Sequence, residues 1–238
     1  MSILFYGDPH GVWQPLFEAV EKHRPAAVIL LGDLDLDEPL RVKLKPVWDL
    51  APQWKYILGN HDTDERMFYE HLVGDYPEGN LQGNITMLDG RLIAGLGGVF
   101  KAKVWAPRYE GDMSEAKYDS AADMIRRTAR ADRWKAMGDE IPGLPLSHRD
   151  TIFPADVARL KNKKCDILVT HEAPASHPYG FEGLDVLARD MRARLVVHGH
   201  QHVDYNGWSK YGTAVRGVAD STAWLLDDVI LDGVSEQV

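Results

Sequence analysis

Residues 26–33 read Ala-Ala-Val-Ile-Leu-Leu-Gly-Asp, and this stretch constrains the fold more than any other. Six apolar residues in a row, rich in branched side chains, leave no polar face to turn toward water. Such a run reads as a strand buried on both sides. Gly32 lets the backbone turn sharply. Asp33 then stands at the carboxyl edge of the sheet, where ligands of open α/β sheets gather. Many strands end in Gly-Asp for turn reasons alone, so one such end specifies little. Four other strand-like runs end in the same way, each on residues of metal-ligating type.

Those runs are Ile3–Tyr6, followed by Asp8-Pro9-His10, and Trp54–Leu58, followed by Gly59-Asn60-His61-Asp62. Asp166–Val169 leads into Thr170-His171, and Leu195–Val197 leads into His198-Gly199-His200-Gln201-His202. Residues two apart in an extended chain share a side. Asp8 and His10 are therefore expected to face one site, and His200 with His202 likewise. Helical patterns separate the runs, at residues 13–23, 63–72, 154–164 and 184–192. Asp62 and Glu65 have the spacing of a capping box for the second of these. Ile85–Leu88, Asp89-Gly90 and Arg91–Leu96 form a hairpin signal, which makes the sheets mixed. Residues 101–150 break the rhythm. There, Ser114–Met137 reads as a helix with Arg126, Arg130 and Arg133 on one face and Gly138 as its C-cap. The region is expected to be a helical insertion or lid on a single domain covering 1–238. Ala214–Val218 and Ala223–Leu226 look like closing strands.

With 238 residues, 45% of them apolar and 26% charged, the chain suits one large domain with a sizeable core. The net charge of −9 argues against an extended nucleic-acid surface or an anionic membrane face. No apolar run approaches bilayer length, and the N-terminus lacks the features of a signal peptide. The single cysteine, Cys165, cannot form an internal disulfide, so a reducing cytoplasm is the expected location. Cys165 itself reads as a small core residue rather than a nucleophile.

Taken together and in order, Asp8-Pro9-His10, Gly32-Asp33, Gly59-Asn60-His61-Asp62, His171 and Gly199-His200-Gln201-His202 resemble the motif series of the calcineurin-like metallophosphoesterase superfamily. The resemblance runs from residue 3 to about 205, apart from the insertion. It implies an α/β fold, a four-layer sandwich of two mixed β-sheets flanked by helices. It also implies two divalent metal ions. Asp8, His10, Asp33 and His202 would hold one; Asp33, Asn60, His171 and His200 would hold the other, with Asp33 bridging. Imidazole, carboxylate and amide oxygen suit Mn first, with Fe, Zn or Ni also matching, rather than Ca. Two carboxylates against two divalent ions leave the site net positive, which draws a phosphate oxyanion into an acidic protein. A hydroxide bridging the ions would attack phosphorus. His61 follows a ligand without being one, and is the expected general acid. Asp33, Asn60 and His61 thus make the expected catalytic set.

Departures from the family pattern narrow the reading. Many relatives carry a second Asp three residues beyond the bridging one, where it orients the acid histidine. Here that position is Leu36, flanked by Asp35 and Asp37. Either one of these substitutes, or the backbone orients His61. The motifs also lack the arginines typical of phosphoprotein phosphatases. The expected function is therefore metal-dependent hydrolysis of a phosphodiester, with a small, nucleotide-like substrate. A broad phosphomonoesterase and a non-catalytic scaffold are the alternatives, and the full ligand set argues against the scaffold. His198 is expected to pack at a strand end. His148 and Arg149 could reach substrate from the insertion, and Trp13 could stack on a base or merely pack.

Overall fold

The computed structural model describes residues 2–109, 116–128 and 143–226. Among the described residues, ten strands form two sheets. The first has four, in the order β10 (Thr222–Leu225), β1 (Ile3–Gly7), β2 (Ala27–Leu30) and β3 (Trp54–Tyr56). Three of these run parallel, and β10 pairs antiparallel with β1. The second sheet has six, in the order β4 (Ile85–Leu88), β5 (Arg91–Leu96), β6 (Ile167–Thr170), β7 (Leu195–His198), β9 (Ala214–Gly217) and β8 (Tyr205–Trp208). Its four central strands are parallel and its two edge strands antiparallel. The expected hairpin joins β4 to β5. Asp89 and Gly90 take φ of 46° and 76° at its tip, the backbone that a two-residue hairpin turn requires.

The period-two alternation explains why the strand sequences are apolar throughout. Ile3, Phe5, Ala27, Ile29 and Leu31 face Ile93, Ile167, Val169, Leu195 and Val197 between the sheets. Their neighbours Leu4, Tyr6, Val28 and Leu30 point the other way, onto Leu16 and Val20 of α1 (Gln14–His23). On the far side, Ala94, Leu168 and Val196 meet α5 (Pro154–Leu160) and α6 (Glu182–Met191) through Val157, Leu184 and Leu187. Three apolar interfaces between four layers bury both faces of both sheets. Cys165 is buried, as expected of a core residue.

Several expectations are corrected. The helix at 63–72 is instead a 3₁₀ turn (His61–Thr63), the short α3 (Arg66–Tyr69) and a π-helical turn (Glu70–Gly74). Asp62 does not cap it; its carboxylate is buried and serves other amides, described below. A further helical turn, α2 (Leu40–Lys43), lies between β2 and β3, in a segment punctuated by Pro39, Pro46 and Pro52. Of the long helix expected at 114–137, the described part is α4 (Ala121–Arg127). Ser120 Oγ caps it by accepting from the Asp123 amide, and Thr128 turns extended and ends it. Arg126 is exposed and pairs with Asp123, while Arg130, Arg133 and Gly138 lie outside the described residues. Val104, Trp105, Met124 and Leu144 from this region join the core on the outer face of the six-stranded sheet.

Candidate metal centre

Every residue expected to ligate metal comes to the carboxyl ends of β1, β2, β3, β6 and β7. The two-residue spacing was expected to act through extended backbone; it does not. Asp8, His10, Asp33, His200 and His202 all have positive φ, between 29° and 66°. Left-handed backbone at non-glycine residues is costly and concentrates at functional sites. Here it turns successive side chains back over the strand ends. Gly59 and Gly199 allow the close approach. A Cβ on Gly59 would collide with Asp33 Oδ1 and the His171 ring, and one on Gly199 with the Asp8 carboxylate.

Two nests of donor atoms share Asp33. In the first, His10 Nε2 lies 3.3 Å from His202 Nε2 and 4.0 Å from Asp33 Oδ2. His202 Nε2 is 3.5 Å from Asp8 Oδ2. In the second, His171 Nε2 lies 3.3 Å from both Asp33 Oδ2 and Asn60 Oδ1. His200 belongs to this nest, with a ring nitrogen within 4.8 Å of the His171 and Asp33 donor atoms. Asp33 Oδ1 accepts the His61 amide at 2.8 Å, which leaves Oδ2 as the atom facing both nests.

The tautomers follow from the partners. His10 Nδ1 meets Asp35 Oδ2 at 3.0 Å and His171 Nδ1 meets the Leu31 carbonyl at 2.7 Å. A carboxylate and a carbonyl only accept, so both Nδ1 atoms carry hydrogen and both Nε2 atoms point into the site. Imidazole nitrogens and carboxylate oxygens converging at 3.3–4.0 Å form a donor cluster of the kind that could hold a cation. Asp8 Oδ1 is buried with no hydrogen-bond partner among the described residues. Burial would lower the His171 pKa, yet Asp33 and Asp8 raise it to about 10. Burial would likewise raise Asp33, but the His171 charge holds it far below the usual carboxylate range. A proton on His171 thus balances charge that a divalent ion would balance better. Burial and the neighbouring His171 push His200 down to about 4, keeping it neutral and ready to ligate. The donor set fits borderline divalent ions.

Residues behind the ligands hold them in place, and the sequence pointed to other roles for some of the residues around them. Asp35 was a candidate to orient His61; it holds His10 instead. Asp37 pairs with Lys43, and Leu36 is buried in the core. His61 Nδ1 meets Asp64 Oδ2 at 2.8 Å, and its ring stands edge-on to His10 at 5.1 Å between centroids. Glu172, buried beside His171, accepts from the Phe100 amide, and its other oxygen is 3.9 Å from His200 Nε2. His198 is fully buried, donating to the Gly199 carbonyl and accepting from the Tyr205 hydroxyl, both at 2.8 Å. It packs at the strand end, as expected. Trp13 packs in the core under α1. Arg149 is buried against Tyr69 with Nε on the Leu144 carbonyl.

Asp62 is the residue whose role was misread most. Its carboxylate accepts the amides of Asp33, Leu34 and Gly59 at 2.8–3.0 Å. It thereby ties the loop after β2 to the loop after β3. Burial and the adjacent Asp33 raise it to about 7. Asp62→Ala leaves three buried amides without an acceptor, at about 1–3 kcal/mol for each unmet group before relaxation. Denaturant unfolding of the metal-free chain should show a loss of about 3 kcal/mol or more. Asp37→Ala, at an exposed pair, should unfold as the parent does.

The sequence profile described as calcineurin-like phosphoesterase matches residues 1–204. The chain belongs to that family. The family is one of metal-dependent phosphoester hydrolases, which act on small phosphoester substrates. An uncharacterized protein of Haemophilus influenzae is 33% identical over 218 residues, covering 91% of this chain and 90% of that one. In fold, the phosphoesterase resembles the crystal structure of TT1561 of Thermus thermophilus. The TM-score is 0.57 at 16% identity, over 98% of this chain and 95% of the other. Among the described residues, no helix is long and apolar enough to cross a membrane.

Proposed function

We propose that this phosphoesterase uses two divalent ions and that its substrates are phosphodiesters. The observation that supports two ions is Asp33 Oδ2, which faces His10 Nε2 on one side and His171 Nε2 on the other. On this reading Asp8, His10 and His202 complete one site, and Asn60, His171 and His200 the other. Mn suits the mixed imidazole, carboxylate and amide donors, as do Fe, Zn and Ni. When bound, such ions polarise phosphoryl oxygens and acidify water at neutral pH. The protein's own part is to hold these donors at fixed angles and to exclude alternatives by burial. Asn60 contributes an uncharged oxygen, so the site keeps a positive surplus for the substrate. His61 lies outside both nests, beside His10, where it can protonate the leaving oxygen.

Diesters are favoured because the strand-end motifs carry no arginine to grip the second charge of a monoester. A diester presents one negative charge, which the metals alone can meet. The test compares kcat/KM for bis- and mono-p-nitrophenyl phosphate on Mn-reloaded enzyme. The diester should win by about tenfold or more, equal to about 1.4 kcal/mol at the transition state. A monoester advantage of that size would make the enzyme a phosphomonoesterase. Failure to hydrolyse any ester, with metals bound, would leave a scaffold. We further propose that the chain is one phosphoesterase domain, that residues 101–150 are an insertion in it and that it works in the cytoplasm.

A further inference from the structure

Four aspartates on the loops after β2 and β3 are already committed. Asp33 bridges the two nests. Asp35 takes the Nδ1–H of His10. Asp37 is turned outward onto Lys43. Asp62 is filled by three backbone amides. A further one, Asp64, stands 2.8 Å from His61 Nδ1. Residues 61–63 form a 3₁₀ turn, and the Asp64 amide donates to the His61 carbonyl at 3.1 Å. In a 3₁₀ turn the side chains at i and i+3 eclipse one another, which an α-helical turn would not do as closely. The turn is itself pinned, since the His61 amide donates to Asp33 Oδ1 and the Asp62 carboxylate is buried below. An exposed ion pair on a mobile loop would position nothing. This pair sits on backbone that two buried carboxylates fix.

We propose that Asp64 is the positioning residue for His61. It accepts the Nδ1–H and so holds the imidazole with Nε2 turned to the leaving oxygen of the substrate. The proposal rests on the phosphoesterase reading above. The same logic governs carboxylates behind metal-bound and catalytic histidines elsewhere, where the carboxylate sets tautomer and ring angle.

Two measurements test it on the metal-loaded enzyme. The first is kinetic. Asp64→Ala should lower kcat about 10- to 100-fold on a diester with an alkoxide leaving group, with KM changed less than about twofold. The loss on bis-p-nitrophenyl phosphate should be clearly smaller, because nitrophenolate leaves without a proton. Asp64→Asn, which keeps an acceptor oxygen, should recover part of the loss. Adding Asp64→Ala to His61→Ala should cost nothing further. Asp37→Asn serves as the control and should behave as the parent. The second measurement does not depend on activity. In Zn-loaded protein, long-range proton–nitrogen correlations of the His61 ring should show hydrogen on Nδ1, and Asp64→Ala should move it toward Nε2. Equal losses on the two substrates, additive losses in the double variant, or an unchanged ring pattern would each overturn the proposal. If the parent hydrolyses no ester, the phosphoesterase reading fails, and the ring pattern alone decides whether Asp64 sets His61.

Discussion

Asp33→Asn should remove both metal ions and nearly all hydrolysis. Asp33 is 1% exposed, and its Oδ2 stands between His10 Nε2 and His171 Nε2. An amide at this position is nearly the same size and keeps one oxygen. It loses the charge, and its nitrogen would point hydrogens at the second nest or at the His61 amide. Losing a single preorganised electrostatic group costs about 10²–10³ in kcat. Losing a bridging ligand acts on both ions together, so a fall of roughly 10³ or more is expected. Elemental analysis of protein purified with Mn should approach two ions per chain for the parent and fall well below one for the variant. A variant that retains two ions, or a parent that saturates at one, would refute the shared-ligand arrangement. Stability separates this from misfolding. The metal-free variant should unfold within about 2 kcal/mol of the metal-free parent, because Oδ1 can still accept the His61 amide.

His61→Ala should leave the metals in place and remove a proton donor. His61 is beside Asn60 in sequence but lies outside the donor nests, on Asp64 and edge-on to His10. Its value depends on how badly the leaving oxygen needs a proton. A ribose alkoxide needs one, and nitrophenolate does not. General acids contribute about 10²- to 10⁴-fold. The variant should lose about that factor on a nucleotide diester and much less on bis-p-nitrophenyl phosphate. Equal losses on both, with chemistry shown to limit the rate, would mean that His61 only places the phosphate. Loss of a metal would instead make it a ligand.

Much of this was legible along the chain. Runs such as Ala27–Leu31 announced strands buried on both faces, and their ends announced the donor residues. Local chemistry carries that information, because burial and turn geometry depend on a residue and its near neighbours. Asp89-Gly90 shows it most plainly, where two residues that tolerate positive φ specified the hairpin. The local rules also misled. Asp62 and Glu65 had the spacing of a helix cap, but the amides of Asp33, Leu34 and Gly59 competed for the same carboxylate and won. With Asp62 buried, residues 61–63 form a 3₁₀ turn, and His61 meets Asp64 rather than a residue near Leu36.

By itself the sequence determined the layer type, the hairpin and the residue types at the centre. Only the tertiary structure decided which carboxylate serves which histidine, and which sheet receives the last of the described strands. Ala223–Leu226 read simply as a closing strand, yet it crosses to pair with β1, the chain's first. Asp35 and Asp37 were equivalent on paper. In the fold, left-handed backbone at Asp35 aims it at His10, while Asp37 lies at the surface beside Lys43. Contacts such as His200 to Asp8, 192 residues apart, are set by where whole strands pack. That packing is the joint outcome of three apolar interfaces, and no local pattern encodes it.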